Sequence, residues 1–191
     1  MGLKKILVGL VAVAALLGVS GCSQSGNVAA TVNGTVITED FVQGSARSID
    51  GILSQDPAYA NYDFVGFVLG NSIMEDILTA SLADMGITLS DQDREQVWTS
   101  TYDPSTAEYS LWTNPKTQQA LKGLIDLTIV NSMAQSGNLD TDRLLALIGD
   151  IPVTLNPRYG QWDAGNLAIS SRVTRSPAGS LADPLLFTIP A

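Results

Sequence analysis

The chain has 191 residues, ten basic and nineteen acidic, no histidine and one cysteine, for a formal net charge of −9. The missing histidines and lone cysteine exclude His/Cys metal sites, His-based triads and internal disulfides, and no cofactor is expected. The acidic balance argues against nucleic-acid binding and against adhesion to anionic lipid through basic patches.

Lys4 and Lys5 open the chain, and residues 6–19 are uncharged and mostly apolar. That run falls short of the about 20 residues a spanning helix needs and fits the apolar region of a signal peptide. It ends in Val19-Ser20-Gly21-Cys22, which resembles the bacterial lipobox, where small residues precede a cysteine that is lipidated and becomes the new N-terminus. The expectation is a lipoprotein signal peptide over 1–21, Cys22 as the lipidated residue on the extracytoplasmic face of the cell membrane, and a polar tether over 22–27. Two or more acyl chains anchor stably where one does not. Residues 1–21 carry two of the ten bases and no acids, so the remaining 170 residues hold eight bases against nineteen acids, a net charge of −11.

The segment from Val28 to Asp40 reads as a β-hairpin running into a helix. Asn33-Gly34 separates two β-prone runs, 28–32 and 35–38, and both residues tolerate the positive φ of a type I′ turn. Thr38 is a candidate N-cap, with Glu39 and Asp40 in the first helical turn. A lone hairpin is marginal in water, so it needs helices beneath it or a further strand. Residues 30–40 resemble the opening hairpin of the SurA/PrsA-type chaperone N-terminal domain, in which a Val-Asn-Gly-x-x-Ile-Thr hairpin precedes a helical bundle.

Helices follow. The first is expected over about 39–53, with Phe41, Val42, Ile49, Ile52 and Leu53 as candidate core, and it stops before Pro57. A loop should cover 58–62. Asp63 caps the longest helix, about 64–85, whose apolar residues recur every three or four positions up to Gly86. Gly66 and Gly70 on it either allow close helix contact or only weaken it. Ser90-Asp91-Gln92-Asp93 reads as a capping box opening a helix over about 91–101. The aromatic cluster Trp98, Tyr102, Tyr109 and Trp112 has two readings: it lines a peptide groove, with large contact area and polar handles, or, the favoured alternative, it packs over the edge of the bundle. Pro115 begins a helix to about 135, apolar on most sides, and Asp140 or Thr141 caps a short one through Ile148. Glu75-Asp76 and the Asp91/Asp93 pair are explained as helix surface and N-terminal charge. No serine is marked for a Ser–Lys pair with Lys116 or Lys122, so the chain reads as not an enzyme.

Val153 and Leu155 alternate with polar neighbours, as in a strand, and Asn156-Pro157-Arg158-Tyr159-Gly160 is turn chemistry. Residues 156–160, 162 and 163 resemble the Asn-Pro-Arg-Tyr-Gly-x-Trp/Phe-Asp element near the end of actinobacterial lipoproteins with SurA-like N-terminal domains. In that family the late strand joins the early hairpin, which would supply its missing partner.

The expected fold is therefore α+β, mainly α: about five helices with a small sheet formed by the N-terminal hairpin and a C-terminal strand, over residues 28–163. Residues 164–191, rich in Ser, Ala and Pro, are expected to be a mostly disordered tail, with an apolar end at 185–189 that docks on the domain as a mock client. The resemblance implies a membrane-anchored chaperone-like lipoprotein that binds unfolded or extended polypeptide. Parvulin isomerase chemistry is not expected, since the histidines of that active site are absent and no such domain fits. The alternative is a non-catalytic envelope module that docks one specific protein.

Overall fold

In the computed structural model, residues 26–170 are described. The expected leader, Cys22 and the apolar end at 185–189 lie outside them. The domain is mainly helical with a small antiparallel sheet, in the order β1 (Val28–Val32), β2 (Thr35–Thr38), α1 (Glu39–Leu53), α2 (Phe64–Asp84), α3 (Asp91–Thr101), α4 (Ala107–Thr113), α5 (Pro115–Gln135), α6 (Thr141–Asp150), β3 (Val153–Leu155), β4 (Gln161–Asp163) and β5 (Ala168–Ser170). Single 3-10 turns cover Pro57–Tyr59 and Pro157–Tyr159.

The local chemistry accounts for most boundaries. Asn33 and Gly34 have φ of 48° and 86°, so the two-residue turn closes as its sequence requires. The Thr38 hydroxyl accepts the Phe41 N–H at 3.2 Å and starts α1. Asp63 accepts the Gly66 N–H at 3.0 Å and starts α2. Ser90 and Asp93 form both arms of the capping box, at 3.1 and 2.9 Å. Gly86 and Gly137 follow α2 and α5 with φ of 75° and 71°, the left-handed stops expected there.

The first sheet has the order β2-β1-β3, both pairs antiparallel. Thr31 faces Val36 on one side and Thr154 on the other. The late strand thus completes the hairpin, and the pairing continues through Asn33 N–H to Pro152 C=O and Asn156 N–H to Ala29 C=O, each 2.9 Å. α2 is the centre of the bundle. By length and composition it is apolar enough to cross a membrane, yet 56% of its most apolar window is buried within the domain. Val68, Leu69, Ile73, Ile77, Leu78 and Leu82 are all within 2% of complete burial. α5 crosses α2 at Gly123, where an added Cβ would lie 2.0 Å from the Asn71 carbonyl oxygen. The glycine that permits close packing is therefore Gly123, not Gly66, beside which the Asp63 cap sits.

Two features go beyond the expectation. α4 is a sixth helix among the described residues, in the aromatic stretch where the sequence places no helix. Thr106 caps it through the Tyr109 N–H at 3.3 Å, and burial of Leu111 and Trp112 holds its seven residues, too few to be stable by themselves. The ordered fold also passes the expected boundary at 163: β5 pairs with β4, Trp162 facing Ile169, and Asp163 closes the turn by accepting the N–H groups of Gly165 and Asn166 at 2.9 and 3.2 Å. Apolar side chains at 162, 167 and 169 packed on the core explain why the chain stays with the domain there. The remainder of the expected tail, 171–191, lies outside the described residues.

Candidate functional site

The aromatic cluster is brought together, but as packing. Trp98 and Trp112 are 2% and 6% exposed, with ring centroids 6.0 Å apart, and Tyr102 stacks on Trp98 at 4.2 Å. The Trp98 indole N–H donates to the Tyr109 carbonyl at 3.2 Å, which ties α3 to α4. Tyr102 and Tyr109 are half-buried against the core. The space left between α3 and α5, bounded by Val97, Trp98, Tyr102 and Leu124, is ≈ 20 Å³, room for about one water molecule. At that volume it holds no peptide side chain in this conformation.

The Asn-Pro-Arg-Tyr-Gly element is likewise a clasp. Asn156 accepts the Arg158 N–H and donates to the Val28 carbonyl, holding the 3-10 turn on β1. The Tyr159 hydroxyl donates to Glu39 Oε2 at 2.6 Å, and the Arg158 guanidinium pairs with the same oxygen. Glu39 is 5% exposed and stands in the first turn of α1, where the helix dipole favours its charge. A second buried pair ties α3 to α5: Arg94 Nε and Nη2 donate to the two Asp126 oxygens at 2.6 and 3.0 Å. Asp91 and Lys122 extend it towards the surface, 3.1 Å apart. Asp126 lies on a helix otherwise read as apolar, and its opposite charge is 32 residues away in sequence.

The open feature of the domain lies elsewhere. β2 is an edge strand, and its free side borders a groove. The closing pair Val32/Thr35 of a two-residue hairpin exchanges hydrogen bonds, so the next pair, Thr31/Val36, turns the Val36 N–H and C=O away from β1. Val36 is also 52% exposed, unusual for a large apolar residue in this domain. The groove is walled by residues 35–38, by Ser72, Glu75 and Asp76 of α2 and by Gln119 of α5, and holds ≈ 200 Å³. Phe41 lines this space and also a second of ≈ 440 Å³, between α1 (Asp40, Gly44, Ser45, Arg47, Ser48) and the start of α5 (Pro115, Lys116); the two meet at its ring and are taken together as the two halves of one groove. The Ser45 hydroxyl donates to the Lys116 carbonyl at 2.9 Å and fixes that wall.

The two halves differ in charge. At the strand end, burial pushes the Glu75 carboxyl up to about 7, with Asp126 and Asp76 adding to it while Gln119 and Lys122 oppose it. Burial also raises Asp76. Gln119 Nε2 donates to both Glu75 oxygens at 2.8 Å. At the other end stand Arg47 and Lys116, neither in an ion pair among the described residues, opposed by the single carboxylate of Asp40.

Glu75-Asp76 is thus a half-buried acidic pair rather than solvated helix surface, and Phe41, expected in the core, is half-buried at the centre of the groove. Their spacing matches any amphipathic helix, so only the neighbouring strand edge distinguishes them. No family model, no curated protein and no solved structure matches this chain.

Proposed function

We propose that this chain is a membrane-anchored extracytoplasmic lipoprotein, lipidated at Cys22, that holds extended polypeptide without catalysing prolyl isomerisation. The observation that carries the binding role is the free edge of β2 opening onto the groove at Phe41. An extended segment can pair with the Val36 backbone groups while its side chains enter the spaces on either side of Phe41. The hairpin and the Asn-Pro-Arg-Tyr-Gly element, which resemble SurA-type lipoproteins, support the same reading. The short apolar leader ending in Val19-Ser20-Gly21-Cys22 supports the anchor. A second reading, a docking module for one envelope protein, is favoured by the charged lining of the groove, which suits a defined sequence better than unselected clients.

Light scattering of a denatured client decides between them. A holdase slows aggregation of unrelated clients at stoichiometric ratios, whereas a docking module leaves the scattering unchanged and retains one partner stoichiometrically after crosslinking. A protease-coupled prolyl peptide assay is expected to show only the uncatalysed rate, tens of seconds at 25 °C. Cys22→Ala is expected to move the protein from the membrane pellet to the soluble fraction or to stall the precursor, and membrane retention of a cleaved variant would refute the anchor.

A further inference from the structure

The groove is polarised along its length, and this narrows what it fits. Going from β2 to α5, it passes from two half-buried carboxylates, Glu75 and Asp76, over the Phe41 ring to two cations without ion-pair partners among the described residues, Arg47 and Lys116. Asp40 also borders the cationic half, so that half is positive by one charge, not two. In a domain this acidic, a cationic half of the groove is a local inversion of the prevailing charge.

We propose that the groove selects an extended segment with a basic residue at one end, an apolar residue at the centre and an acidic residue at the other end. This rests on the polypeptide-holding reading above and specifies its ligand. The basic residue meets Glu75 and Asp76, the apolar one covers Phe41 and Val36, and the acidic one reaches Arg47 and Lys116. The strand edge spans four residues, about 13 Å, and α1 runs about 12 Å from Asp40 to Ser48, which suits an extended segment of about seven residues. Complementary charge at both ends fixes register and discriminates partners more than it raises affinity, and rim charges screen with salt.

The test uses the full chain and four fluorescein-labelled heptapeptides sharing a Val-Leu-Val centre, with flanks that are basic and acidic, both basic, both acidic, or uncharged. At low salt the mixed peptide is expected to bind about tenfold tighter than the uncharged one. Glu75→Gln with Asp76→Asn should weaken the mixed peptide about fivefold and leave the all-acidic one unchanged or tighter. Arg47→Gln with Lys116→Gln should weaken the mixed peptide about fivefold and leave the all-basic one unchanged or tighter. All four positions are polar and none is fully buried, and circular dichroism checks that the variants fold. Equal binding of all four peptides, or no change in either variant, overturns the proposal. Suppressed client aggregation without any charge pattern would sink this inference and leave the holding function standing; patterned peptide binding without suppressed aggregation does the reverse. If ending the chain after Ser170 abolishes the charge pattern while raising affinity for every peptide, the chain's own tail is the occupant and the proposal fails. Concentration-dependent dimerisation lost on Phe41→Asp would make the occupant a second copy, and would equally overturn it.

Discussion

Around Trp98 the aromatic rings pack against one another between α3 and α4; at Phe41 a single half-buried ring borders an open groove. The first region is rich in the residues that favour binding surfaces, yet its rings have consumed one another's faces and its indole N–H is satisfied within the domain. The second carries one aromatic, an exposed valine and five charges drawn from three helices, beside a strand edge. Density of aromatic residues along the chain therefore marks where helices are glued together, while access marks where something else can bind.

The largest effects should fall on what closes the domain. Ending the chain after Gly149 removes β3 and the Arg158 and Tyr159 contacts to Glu39, leaving a buried carboxylate uncompensated and the hairpin without its partner. The expected result is loss of the cooperative thermal transition, whereas ending it after Ser170 leaves the transition in place. Equal melting of the two truncations would remove the role given to the clasp.

Asp126→Ala removes the buried partner of the Arg94 guanidinium, 8% exposed, and leaves it only the more exposed Asp91 carboxylate at 2.9 Å, which should cost about 1–3 kcal/mol in urea unfolding; Trp98→Ala should cost about 3–5 kcal/mol from cavity formation. Trp98 does not line the groove, so peptide affinity of its folded variant should be unchanged, whereas Asp126→Ala also removes a charge that acts on Glu75. A Trp98 variant that folds but no longer binds would return the aromatic cluster to the functional site.

Phe41→Ala inverts that pattern. Its ring is only half withdrawn from water, so the stability loss should be about 1 kcal/mol, while peptide affinity falls about tenfold or more by fluorescence anisotropy.

The smallest effect is electrostatic and pH-dependent. The Glu75 carboxyl titrates near 7 in the fold and near 4.5 in an unfolded chain. The folded state thus holds the proton more tightly, and stability falls as pH rises from about 4.5 through 7, where the ionised form is desolvated. Lys122 and Gln119 of α5 soften this, and Asp76 and Asp126 aggravate it. Discounted for its partial exposure, the penalty above pH 7 is about 1–2 kcal/mol. Glu75→Gln should therefore be more stable than the parent at pH 8 by that amount and indistinguishable from it at pH 4. A constant difference across this range would show that the carboxyl is solvated after all.

The sequence by itself determined the hairpin, five of the six helices among the described residues, their caps and stops, and the return of residues 153–155 to β1. All but the last are encoded by near neighbours: positive-φ residues in turns, side chains that accept the first free N–H groups, and apolar periodicity. Hairpin and late strand also each lacked a partner, which left them to one another. Tertiary structure decided the rest. α4 exists because Leu111 and Trp112 find a core to enter, and β5 because β4 is there to pair with. The Arg94–Asp126 pair depends on how α3 lies against α5, and the close crossing at Gly123 on how α5 lies against α2. The groove was illegible for the same reason: Val36, Phe41, Glu75 and Lys116 are unremarkable in their own elements, and only packing sets how much water and how much charge each one meets.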